Sequence, residues 1–113
     1  MVELPPFECR VSRNGAGRAH VSLSGELDLV TASQLWSEVR DVLGDPAVSE
    51  AVIDLSELRF VDSSGLEVFV DIRRVLESRH GRLTLTRPQS AVRMTLRITG
   101  LDDLIDVASD GFG

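Results

Sequence analysis

The feature that most constrains this chain is a short apolar run at its centre, Ala51-Val52-Ile53-Asp54-Leu55, with helical periodicity on both sides of it. Such a run reads as a buried strand with cover on both faces. Upstream, Ala32, Leu35, Trp36, Val39, Val42 and Leu43 share one face of a helix expected over about 31–43. Thr31 reads as its cap with Gln34 completing a capping box, and Gly44 as its stop. Downstream, Leu66, Phe69, Val70, Ile72, Val75 and Leu76 define a second helix over about 64–78, opened by a Ser64–Glu67 capping box and ended by Gly81. Residues 82–86 then read as a strand. The two strands and the helix between them form a βαβ unit, so the strands are expected to be parallel and the crossover right-handed.

Apolar residues alternate at Phe7, Cys9 and Val11, and again at Ala19, Val21 and Leu23, around the turn Asn14-Gly15-Ala16-Gly17. That pattern predicts a hairpin. Pro88 opens a third helix that runs to Ile98 and is ended by Gly100. Residues 104–107 read as a last strand or a short helix, and the tail from Ser109 to Gly113 as frayed. Two strands followed by helix and strand in alternation predict an α/β layer structure with a mixed sheet and helices on at least one face. At 113 residues the chain is long enough for one domain, with its core over about 7–107.

The formal net charge is -6 with acids spread along the chain, which argues against a nucleic-acid partner, whose phosphates would repel it. All twelve basic residues are arginine, so no side-chain amine is present for Schiff-base chemistry. Cys9 is the only cysteine, which excludes an intramolecular disulfide. The N-terminal MVELPPFECR has no apolar core of a signal peptide, and no run of 18 apolar residues occurs. The expectation is a cytoplasmic protein with no membrane insertion.

Function concentrates in Val61-Asp62-Ser63-Ser64-Gly65-Leu66, where the central strand leads through a loop into the second helix. The first turn of a helix has free amides and the positive end of the macrodipole, an environment suited to a phosphate on Ser63. Gly65 is expected to leave that turn uncluttered for another protein's approach. The same residues also fit ordinary helix capping by Asp62 and Ser64, and from the residues alone both readings stand.

That string resembles the signature of STAS domains in bacterial anti-sigma factor antagonists. Gly25-Glu26-Leu27-Asp28 followed by Thr31-Ala32, Gly81-Arg82-Leu83, and Ile98-Thr99-Gly100-Leu101 are similar to further family motifs in the same order. The resemblance covers about residues 7–107. It implies the STAS fold, with four to five strands in a mixed sheet covered by about three to four helices. It also implies a partner, an anti-sigma factor that is a serine kinase of the histidine-kinase-like ATPase fold, whose capture frees a sigma factor. Phosphorylation of Ser63 would eject the antagonist, and a PP2C-like phosphatase would restore it. Asp28, Asp62, Ser63, Ser64 and Gly65 are then the expected partner-binding residues. The alternative is a STAS module of another system, a stressosome component or a transporter-associated subunit. Glu67 is acidic where many relatives carry a small or apolar residue, which bears on the choice of partner.

Other chemistry finds little support. A serine hydrolase needs a base beside the serine, yet His20 lies in the second expected strand and His80 at the far end of the helix that Ser63 opens. One cysteine and two separated histidines give no metal-ligand spacing, and Asp102, Asp103 and Asp106 read as a solvated turn. No phosphate-binding glycine motif is present, so neither an enzyme nor a cofactor is expected. Trp36 and Cys9 read as core packing, and Arg73, Arg74 and Arg79 as a solvated face.

Overall fold

The computed structural model describes residues 5–15 and 17–109. Met1 to Leu4, Ala16 and the tail from Asp110 lie outside them, and so does all of the segment expected to fray except Ser109. Five strands form one sheet in the order of the chain: β1 (Glu8–Asn14), β2 (Arg18–Leu27), β3 (Glu50–Val61), β4 (Arg82–Thr86) and β5 (Asp106–Ala108). β1 and β2 are antiparallel, while β2, β3, β4 and β5 run parallel to one another, so the sheet is mixed as expected. The helices are α1 (Leu29–Leu43), α2 (Ser63–Glu77), α3 (Ser90–Ile98) and a single turn, α4 (Leu101–Leu104). The segment read as a last strand or a short helix supplies both, the end of α4 and β5.

Among the described residues, all four helices contribute to one core, and the strands join it with one side-chain row only. Val21 and Leu23 of β2, Ile53 and Leu55 of β3, and Leu85 of β4 meet Leu35 of α1, Phe69, Ile72 and Leu76 of α2, and Val92 and Leu96 of α3. The opposite row carries Arg10, Ser22, Asp54 and Thr86 in register across the sheet, with His20, Val52 and Thr84 beside them. The central run therefore lacks the two-sided helical cover that its composition suggested. Val52 is buried by its strand neighbours instead, because a side chain on a middle strand is flanked on both sides.

β3 extends well past Leu55, where the sequence suggested a loop. Two register shifts against β2, between Ser22 and Ser24 and between Gly25 and Glu26, put extra residues into β3. Those bulges turn Leu55, Leu58 and Val61 all inward at intervals of three, a spacing a regular strand cannot bury. Asp54 holds the first bulge: it accepts from the Ser56 N–H at 2.9 Å and pairs with Arg87, while Gln89 donates to the Ser56 carbonyl at 2.8 Å.

Arg79 departs from the solvated role expected of it. Its guanidinium donates to the carbonyls of Leu43 (2.6 Å), Val48 (3.0 Å) and Asp45 (3.1 Å), clamping the C-terminal end of α1 to that of α2. Arg73 and Arg74 pair along α2 with Glu77 and Asp71. At Gly81 the backbone runs so close to Ser49 that a side chain would overlap the Ser49 carbonyl.

Candidate functional site

Parallel strands end on the same side, and each hands the chain to a helix there. β2 ends at Leu27 and β3 at Val61, paired in register, and the Asp62 N–H donates to the Leu27 carbonyl at 3.0 Å. The residues that follow, Asp28 and Asp62, are the N-caps of α1 and α2. Two helix N-termini, each capped by an aspartate, thus stand side by side at one end of the sheet.

The Asp28 carboxylate accepts from the N–H groups of Val30 (3.0 Å) and Thr31 (3.1 Å). Thr31 returns the bond, its Oγ1 accepting from the Asp28 N–H at 2.8 Å, and also donates to the Glu26 carbonyl at 2.9 Å. Hydrogen bonds from the Thr31 backbone above all hold the Asp28 carboxyl below the usual carboxylate range. Thr31 is therefore the third residue of the helix and closes the box, while Asp28 caps. With its N–H bonded to Thr31 and its carboxylate to the first-turn amides, Asp28 is the cap, three residues before the Thr31 that the Thr31–Gln34 reading suggested.

The same correction applies at α2. Asp62 caps through its Oδ1, which accepts from Ser64 (2.9 Å) and Gly65 (3.4 Å). The helix begins at Ser63, and Ser64 is its second residue, so the Ser64–Glu67 box does not form. Glu67 is exposed one turn beyond Ser63 and has no ion-pair partner among the described residues. Ser63 itself is exposed and Ser64 half-buried.

Gly65 points the other way from the expectation. It is buried, and a methyl group there would lie 2.6 Å from Leu27 Cγ and 2.7 Å from Val61 Cγ2. Its missing side chain lets the first turn of α2 sit down on the ends of β2 and β3. Gly65 thereby sets the height of Ser63 above the sheet.

Two residues that the sequence pattern gave no sign of complete the site. Leu29 and Val30, the first two residues of α1, are 73% and 79% exposed beside the paired caps. Grooves flank α2 on both sides: one of about 390 Å³ toward α4, reaching Ser63, and one of about 250 Å³ toward α1, reaching Ser64 and Leu29. His80 follows the C-terminal end of α2, and His20 pairs across from Val52 near the start of β2, far from the Leu27 and Val61 ends. Among the described residues no cluster of histidine, cysteine and carboxylate side chains is arranged to hold a metal ion. No helix among the described residues is long and apolar enough to cross a membrane.

A family model described as "Mlab, STAS domain" matches residues 9–106. The chain is 33% identical over 90 residues to the anti-sigma-B factor antagonist of Listeria monocytogenes, covering 77% of this chain and 75% of that one. An anti-sigma factor antagonist from Mycobacterium paratuberculosis superposes with a TM-score of 0.83 at 29% identity, over 96% of this chain and 92% of the other. SpoIIAA, an anti-sigma factor antagonist in its unphosphorylated form, superposes at 0.80 with 25% identity, over 91% and 90%. With the five-strand mixed sheet, the four helices and the paired caps in place, this chain belongs to the STAS-domain family of anti-sigma factor antagonists.

Proposed function

We propose that this protein captures an anti-sigma factor of the histidine-kinase-like ATPase fold in the cytoplasm, so freeing a sigma factor, and that phosphorylation of Ser63 by that kinase ends the capture. The observation that carries this reading is the surroundings of Ser63. Ser63 is exposed on the first turn of α2, directly after the Asp62 cap and facing the groove toward α4, while Leu29 and Val30 are bare at the start of α1 behind the neighbouring Asp28 cap. Two large aliphatic side chains at a helix start gain nothing for folding when left in water, and they suit a surface that a partner covers. The curated relative named an anti-sigma-B factor antagonist supports the same partner class, and the similarity to SpoIIAA in an unphosphorylated form supports a serine that is switched.

The switch follows from charge. A neutral hydroxyl can be buried at an interface at small cost if it finds one partner. A phosphate carries roughly two negative charges. Two of the first-turn amides that would welcome it, those of Ser64 and Gly65, are already taken by Asp62. Burying the phosphate beside Asp62 and Glu67 would cost on the order of 2–5 kcal/mol, an affinity loss of about 30-fold to several thousand-fold. A PP2C-like phosphatase is the proposed means of return.

The test is intact-mass measurement after incubation with the host's candidate anti-sigma kinases and ATP, with peptide mapping. One added phosphate on Ser63 is the expected result. Ser63→Ala is expected to bind the kinase without release and Ser63→Asp to bind more weakly. Phosphate on another residue, or full-strength binding by Ser63→Asp, would overturn the electrostatic switch.

A further inference from the structure

We infer that the partner reaches past Ser63 into the groove between α1 and α2, where it seats a cationic, partly aliphatic segment of the anti-sigma factor against Trp36 and Glu67. The inference rests on the proposed capture of an anti-sigma factor and adds where on this chain the affinity comes from. The groove holds about 250 Å³. Its apolar lining is Leu29, Ala32, Trp36 and Val68, and its acidic lining is Glu67 and Asp71, the second already paired with Arg74.

Three observations choose this groove over the larger one toward α4. First, Leu29, 73% exposed and directly after the Asp28 cap, is part of its lining, so the groove begins at the paired caps. Second, the groove toward α4 includes Arg74, which pairs with Asp71 at 3.4 Å and supplies a cation of its own. Third, Asp71 has Arg74 as its cation, whereas Glu67, which borders both grooves, has no ion-pair partner among the described residues, and on the α1 side no basic side chain lies near it. A cationic side chain from outside is the missing partner. Trp36 is half-buried against the core, rigid and large, the kind of residue that dominates binding when an aliphatic stem covers it.

The arrangement divides the labour of the surface. Ser63 and the caps decide whether the partner can approach, and the groove supplies much of the hold once it has. Glu67 becomes a residue that selects among partners by demanding a positive charge one turn from the switch.

Binding of unphosphorylated protein to each candidate anti-sigma ATPase of the host, measured by calorimetry, tests this with five variants. Ser33→Arg fills the groove from the exposed side of α1, Glu67→Arg reverses its charge, Thr99→Arg obstructs the other groove, and Ser63→Asp probes the switch. The first two are expected to weaken binding about tenfold or more, and Thr99→Arg less than either. Glu67→Gln is expected to make the affinity less sensitive to salt. Wild-type affinity in both Ser33→Arg and Glu67→Arg overturns the groove assignment while a weakened Ser63→Asp leaves the switch standing. Wild-type affinity in all of them, or no binding of the wild type to any such ATPase, overturns both.

Discussion

Replacing Gly65 with alanine sets two effects of known size against each other. An interior helical glycine costs about 1 kcal/mol relative to alanine, so on propensity alone the substitution would stabilise α2 by that amount. Packing opposes it. The new methyl carbon would lie 2.6 Å from Leu27 Cγ, and 2.7 Å from both Leu27 Cδ2 and Val61 Cγ2. Leu27 is fully buried and Val61 nearly so, and Leu27 Cγ is a branch point that cannot swing aside without moving the whole side chain. Forcing one methyl into such packing costs about 1–3 kcal/mol, with the upper part of that range expected where two neighbours must shift together. The net expectation is a loss of about 1–2 kcal/mol. Urea denaturation followed by circular dichroism measures it, with an unchanged slope expected, since the surface exposed on unfolding is the same. The bulkier Gly65→Val should lose more. A Gly65→Ala protein as stable as the wild type, or more so, would refute the claim that this glycine exists to seat α2.

Three further outcomes follow from the same contacts. Arg79→Ala removes three hydrogen bonds to the carbonyls of Leu43, Asp45 and Val48 and is expected to cost about 2–4 kcal/mol by chemical denaturation; Arg79→Lys keeps the charge but not the fork and should recover less than half. Burial, with the nearby Glu38 carboxylate, pushes the Cys9 thiol up to about 12, so a thiol reagent at pH 8 should react with native protein far more slowly than with unfolded protein. Burial tends to raise the Asp54 carboxyl, but the Ser56 N–H and Arg87 outweigh it and hold it below the ordinary range. A lowered folded value means that its stabilisation is present above about pH 4 and lost as pH falls through the folded value, so Asp54→Asn should flatten the acid limb of the stability profile.

Much of this architecture was legible because periodicity and order are local. The stripes of α1 and α2, the hairpin and the βαβ unit each stand in a dozen or so neighbouring residues. The cap positions were less legible, since Asp62, Ser63 and Ser64 can all cap and the choice depends on where β3 ends. That end is fixed by a nonlocal bond, from the Asp62 N–H to the Leu27 carbonyl. The bulges were hidden for a related reason: Leu55, Leu58 and Val61 recur every three residues, which reads as anything but a strand until the register against β2 is known. Arg79 binds carbonyls more than thirty residues away, and no side-chain pattern announces backbone partners. Hydropathy does not mark Leu29 and Val30 as exposed, and their exposure is the part of the candidate site that needed three dimensions.

The capping pattern also bears on why a switch at this place can act on binding without disturbing the fold. Phosphate at a helix start ordinarily draws on the first-turn amides and strengthens the helix. Here those of Ser64 and Gly65 are committed to the Asp62 carboxylate, which in turn is fixed by its own N–H bond to β2. A phosphate on Ser63 can gain little from the helix unless it displaces Asp62, and doing so would expose a carboxylate to a second anion. The stable arrangement keeps Asp62 in place and turns the phosphate outward, toward whatever protein approaches. On that argument phosphorylated and unphosphorylated protein should unfold at nearly the same temperature, while their affinities for the anti-sigma factor differ by about 30-fold or more. A melting temperature raised by several degrees on phosphorylation would mean that the phosphate has taken over the cap, and that the switch works through the helix and not through the surface it presents.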